Sequence, residues 1–211
     1  MITLKLLDSI GDIEIKVNKA ISEQVNKLLS NKQSLLISKA KSLCVNWINS
    51  QPEIQSLFSS NVDSLAGQFG FPPEIGPSIV NSIETSIQNS ISAKFIKYNN
   101  KLTSGGLEIY FQPNNFSNLL SLSDGHVIYE GGDLHWLNWL LTAGDTIIVA
   151  NYQYNPISGL GRSGLGNMTS GGSFRVPPQY SGTIDNNFVT RALTSSQAYD
   201  DIKKLFQEIL S

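Results

Sequence analysis

Charge is what this chain has least of. Only 15% of its residues are Asp, Glu, Lys or Arg, against roughly 25% in ordinary soluble domains, and the formal net charge is -2. A protein that grips duplex nucleic acid neutralises on the order of six to ten phosphates with a concentrated basic face. The lysines here are dispersed. The nearest approach to a group, Lys27, Lys32, Lys39 and Lys41, falls at helical spacing and reads as a solvated face. Neither sequence-specific nucleic-acid binding nor attraction to an anionic bilayer is expected. Cysteine is nearly absent: Cys44 stands alone, so an internal disulfide and a zinc site built on cysteine pairs are excluded, and folding in a reducing compartment is expected. No apolar run reaches the roughly 18 residues of a membrane span. Lys5, Asp8 and Asp12 interrupt the stretch where a signal peptide needs unbroken apolar residues. The expectation is a soluble, unprocessed chain.

What stands in place of charge is Ser and Asn, beside 40% hydrophobic residues in a chain of 211. That suffices for one sizeable core, so residues 1–211 read as a single domain, mostly helical over 1–90 and sheet plus helices over 91–211. Ile2 to Leu7 reads as an extended arm. From about Asp12, Ile13, Val17, Ile21, Val25 and Leu28 recur at three- and four-residue intervals and predict a helix. A second helix carries Leu36, Ala40, Leu43, Cys44 and Trp47 and ends before Pro52. Glu53 to Gly70 reads as one or two short helical pieces, stopped by Phe71, Pro72 and Pro73. From Glu74 to about Ser90, Ile75, Ile79, Ile83 and Ile87 at strict four-residue spacing predict a surface helix with a narrow apolar seam.

Strand signals dominate the second half. Ile91 to Tyr98 alternates, Gly105 and Gly106 turn the chain, and Leu107 to Phe111 alternates again, the pattern of a hairpin. Asn114 or Asn115 is placed to cap a short helix through Leu122. Val127 to Tyr129 is a brief strand, and Asp133 precedes an apolar helix, Leu134 to Thr142, closed by Gly144. Thr146 to Ala150 is β-prone and continues towards Tyr154, with Ser173 to Val176 as its return strand. At the C-terminus Thr194 and Gln197 resemble a capping box ahead of the stripe Ala198, Ile202, Leu205, Phe206 and Ile209, with Asp200 and Lys204 as an i, i+4 pair. Helices first, then clustered strands, then a last helix define an α+β fold: N-terminal helices, a mainly antiparallel sheet with a long-loop hairpin, and a C-terminal helix.

Candidate chemistry is thin. Asp124, His126, Glu130, Asp133 and His135 are the residue types of a metal hydrolase, gathered within a dozen positions. Asp133 and His135, two apart at a helix start, would point to opposite sides, and Asp133 is better placed to cap that helix. No metal site is expected. Gly159, Gly161 and Gly164 match GxGxxG, but the loop runs on through Gly166, Gly171 and Gly172 into a strand, so no helix N-terminus is offered to a pyrophosphate. There is no P-loop lysine, and Leu165 replaces the second glycine of a nucleophile elbow. No cofactor and no catalytic residue are expected. Trp136, Trp139, Tyr129, Tyr152, Tyr154 and Tyr180 read as core packing before they read as a carbohydrate or base platform. What remains is the connection Asn155 to Gly172, some 18 residues, long enough to expect a role in contact with a neighbouring subunit.

The stretches MITLKLLDSIGDIEIKVNKAI, GHVIYEGGDLHWLNWLL, GDTIIVANYQYNP, GLGRSGLGNM and FRVPPQYSGTIDNNFVTRAL resemble virion structural proteins of contractile-tailed phages of marine and cyanobacterial hosts. The layout is similar to the neck and tail-completion (head-tail connector) family: an extended start, N-terminal helices, a long-loop hairpin, then Phe188 to Leu193 leading into a last helix. Glu53 to Ser90 is additional to its smaller members. The resemblance implies a non-enzymatic homo-oligomeric ring of the virion, assembled in the host cytoplasm between portal or adaptor and tail-terminator or tail-tube proteins, with phage DNA passing through. Alternatives are a tail or baseplate adaptor with exposed aromatics, and a metal-dependent phage hydrolase using Asp124 to His135. A ring needs one patch to meet a different patch on the next copy. The surfaces expected to do so are Ile2 and Leu4 of the arm, Ile75, Ile79 and Ile83 of the isoleucine helix, and Gly159, Gly161, Arg162, Gly164, Leu165, Gly166 and Met168 of the loop.

Overall fold

A computed structural model describes residues 8–72, 74–129, 132–157, 159 and 161–210. The expected arm with Ile2 and Leu4 lies outside the described residues, as does Glu130. The fold is α+β, and it begins with one helix where two were expected. Helix α1 spans Ile10–Asn49, 40 residues, or about 60 Å at 1.5 Å per residue. Ser9 caps it: its hydroxyl accepts from the Asp12 backbone N–H at 3.1 Å, while the Asp12 carboxylate accepts from the Ser9 backbone N–H at 3.2 Å. The residues between the two apolar stripes, Leu29 to Leu35, contain no Gly or Pro. Ser and Asn there each cost only about 0.5 kcal/mol of helix propensity, so the helix runs through.

Pro52 then occupies the first turn of α2 (Pro52–Phe58), where its missing N–H is no loss. Helix α3 (Leu65–Phe69) is capped by the Ser64 hydroxyl, and α4 (Gly76–Ser90) follows. The antiparallel pairing is divided among three hairpins in the described residues: β1 (Ser92–Ile96) with β2 (Gly106–Tyr110), β3 (Val127–Tyr129) with β4 (Gly132–Leu134), and β5 (Val149–Asn155) with β6 (Asn167–Phe174). Between them lie α5 (Ser117–Leu120), a single 3-10 turn at Ser123–Gly125, and α6 (Trp136–Leu141). Helices α7 (Phe188–Thr194) and α8 (Ser196–Leu210) close the chain.

The core gathers the second half of α1 with α2, α4, α6, α7 and α8 around Trp136, Phe188, Ile48, Ile54, Ile83 and Leu140, all fully buried. Each such side chain contributes roughly 1.5–3 kcal/mol. Trp136 meets Phe69 and Phe71 at ring-centroid distances of 5.5 and 5.3 Å, so the aromatic residues of α6 pack inward as expected. The C-terminal stripe of Ala198, Leu205 and Ile209 is buried against the core, and α8 is tied to α1 by Trp47 Nε1 donating to Asp201 at 2.9 Å and by a Lys39–Glu208 ion pair at 2.8 Å. The α8 cap is Ser195, whose hydroxyl accepts from the Ala198 N–H at 3.1 Å. Thr194 instead ends α7, its hydroxyl donating to the Thr190 carbonyl. No helix among the described residues is long and apolar enough to cross a membrane.

Candidate functional site

Three features stand out from this frame. The first is on α1. Ser22, Leu29, Leu36, Ala40, Cys44 and Trp47 form the face turned into the protein. A second apolar row, Ile10, Val17, Ile21, Leu28 and Leu35, follows at seven- and four-residue steps, a spacing that keeps it in one line about a quarter-turn around the helix. Of these, Ile10 is 81% exposed, Val17 50%, Ile21 44% and Leu35 43%. The helix therefore carries two apolar faces, of which the other described residues cover one. The expected interface on α4 does not survive in the same way: Ile79 and Ile83 are buried in the core under α1 and α2, and only Ile75, at the start of α4, is exposed. A four-residue period on a helix packed against two neighbours is a core signature.

The second feature is the glycine-rich connection. Ladder pairing continues to Asn155 opposite Asn167, with an irregularity between Ala150 and Tyr152 that absorbs Gly171 and Gly172, so the connection is residues 156–166, shorter than expected. Its glycines serve close approach within the chain. A side chain on Gly161 would begin 1.5 Å from the Gly166 carbonyl oxygen, and one on Gly166 would strike the Tyr154 ring. The Tyr154 hydroxyl donates to the Val62 carbonyl at 2.7 Å, and burial, followed by the nearby Asp63 charge, raises its pKa and keeps that proton in place. Gly166 is buried, Gly161, Leu165 and Met168 are half-buried, and Gly159, Arg162 and Gly164 are exposed. As a contact surface the loop thus offers Gly159, Arg162 and Gly164; Gly166 is spent on the protein's own packing. Between the loop, α3 and the β3–β4 hairpin lies a cavity of about 610 Å³, walled chiefly by Phe69, Val127, Leu134, Val149, Met168 and Phe174.

The third feature corrects the reading of Asp133. It is not a helix cap: Leu134 pairs with Val127 and draws Asp133 into β4, and α6 begins at Trp136 with no side-chain cap. His135 directly follows β4, and its imidazole and the Asp133 carboxylate come together on one side of the hairpin. Extending the ladder by one step sets His126 opposite His135. The Asp133 carboxylate lies 3.0 Å from His126 Nδ1 and 3.3 Å from His135 Nε2, and the two imidazole centroids are 3.7 Å apart. Asp124 is held elsewhere, accepting a hydrogen bond from the Ser82 hydroxyl. The sequence carried the signal in its D-x-H step and the brief Val127 to Tyr129 strand, which only a paired partner strand turns into a shared face.

No protein-family model, curated protein or solved structure matches this chain.

Proposed function

We propose that this chain is a non-enzymatic structural subunit that acts by packing against copies of itself. More particularly, it is a ring-forming neck or head-tail connector protein of a tailed phage, contacting portal or adaptor proteins on one side and tail-terminator or tail-tube proteins on the other. The observation that favours the class is the row on α1 that the other described residues leave uncovered. Rows of large aliphatic side chains on a long helix are stabilising only when a second surface covers them, and the seven- and four-residue steps suit another helix. The scarcity of charge fits the same end, because desolvating Ser, Asn and apolar groups costs less than desolvating unpaired ions. The particular reading rests on the sequence resemblance of residues 1–21 and of the stretches from Gly125 to Leu193. Negative-stain imaging of the purified protein, alone and mixed with portal or tail tube, tests it. Rings, or density added at the end of either partner, are expected; a particle that remains a monomer and joins neither contradicts it.

A further inference from the structure

We propose that His126, Asp133 and His135 form a binding site for a divalent transition metal, with zinc as the best fit. Among the described residues this is a group of three metal-ligating side chains whose donor atoms all lie within 4.8 Å of one another. The site goes beyond the assembly role and does not depend on it.

Geometry carries the case. A tetrahedral ion with bonds of 2.0–2.1 Å holds its ligand atoms about 3.3 Å apart. Asp133 Oδ2 stands 3.0 Å from His126 Nδ1 and 3.3 Å from His135 Nε2. Asp133 thus already stands near the tetrahedral edge from each histidine, and with the two histidine donors within 4.8 Å of each other, rotation of the side chains would let an ion enter among the three. The backbone is already fixed: Val127 pairs with Leu134 and Ile128 with Asp133, and the opposite face of the hairpin walls the apolar cavity through Val127 and Leu134. His135 sits at the N-cap position of α6 without using its side chain there, which leaves the imidazole free to bind.

Donor chemistry selects the ion. Two imidazoles and one carboxylate suit zinc, and also nickel, copper and cobalt, over magnesium or calcium, which prefer oxygen ligands throughout. The exposure of Asp133 and His135 leaves the fourth position to water. Bound there, the ion would clip the β3–β4 hairpin to the start of α6, reinforcing a junction made by the single residue His135. No bond-making step is implied.

The test is direct metal binding by the purified full chain after treatment with chelator. Zinc alone is titrated by calorimetry, and cobalt alone is followed by its visible absorption. One ion per chain is expected, with a cobalt spectrum of low coordination number. Removing a ligand, by His126→Ala or His135→Ala, should weaken zinc binding by at least about tenfold, the lower end of what even outer partners of metal ligands contribute. Asp133→Asn supplies a near-isosteric variant, and far-UV circular dichroism reports whether each variant keeps its helices. Substoichiometric zinc at micromolar concentrations, or equal affinity in the wild type and the folded variants, overturns the site. The result is read per chain, so it stands whatever the oligomeric state.

Discussion

Cys44 lies on the buried face of α1 with none of its surface exposed, and burial pushes its thiol from 9.0 up to about 12. A neutral, enclosed thiol is a poor nucleophile. It should react with an aromatic disulfide reagent only as fast as the protein opens, and at once in denaturant. The same shift sets a pH dependence. Above pH 9.0 the unfolded chain releases the thiol proton while the native state holds it to about 12, so the unfolded state binds fewer protons and stability falls as pH rises. The contribution approaches about 1.4 kcal/mol per pH unit within that window, and Cys44→Ala should remove it from urea melts taken at pH 9 to 11. Glu53 makes the opposite demand on its surroundings. Its carboxylate is fully buried in α2, meets Arg191 of α7 through one oxygen, and leaves Oε2 without a hydrogen-bond partner among the described residues. Removing the cation strands a buried charge, so Arg191→Met should cost about 3 kcal/mol in chemical denaturation, and adding Glu53→Gln should return much of it. Sequence reading put Cys44 on an apolar stripe but did not point to the Glu53–Arg191 pair, whose residues stand 138 apart in the chain and meet only through packing.

Elements were legible where local signals agreed with tertiary demand. The helical period of α4, the pairing of β1 with β2 and the α8 stripe lie where local pattern put them, although the chain reverses over Asn99 to Ser104, ahead of Gly105, and Gly106 already pairs with Ile96 as the first residue of β2. Two readings failed for one reason, that the partner decides the period. The polar residues around Asn31 looked like a break, yet α1 continues, and Gln33 donates to the Ala93 carbonyl of β1 at 2.8 Å while Asn26 donates to the Tyr98 carbonyl just beyond it at 2.9 Å, giving those polar positions a use. Asp133 looked like a cap, yet β3 recruited it to a strand. None of the expected contact residues lay on α1, because its outer row of Ile10, Val17, Ile21, Leu28 and Leu35 is as apolar as the buried one and period alone does not say which row the chain covers. That second row makes a specific expectation: Val17→Asp with Ile21→Asp should abolish self-association while leaving the circular dichroism and thermal midpoint of the chain nearly unchanged, since neither side chain touches the core. Size-exclusion chromatography with light scattering reads the outcome.

At the scale of the whole molecule, magnitudes decide what kind of assembly the row on α1 permits. Burying each large aliphatic side chain is worth roughly 1.5–3 kcal/mol, and several on α1 are already partly covered, so one copy of the contact gains on the order of 5 kcal/mol. Association itself costs an estimated 4–15 kcal/mol. A single contact is therefore weak, and under the proposed ring reading stability would come from closure, in which each subunit makes two contacts. The exposed tip of the loop, with Gly159, Arg162 and Gly164, and the exposed Ile75 at the start of α4 are further surfaces for the second patch. Native mass spectrometry across a concentration series of the full chain tests this most directly. Discrete closed species of one stoichiometry, appearing cooperatively with few intermediates and lost in the α1 double variant, are expected; a monomer at every concentration, or an open ladder of sizes unaffected by the variant, contradicts it.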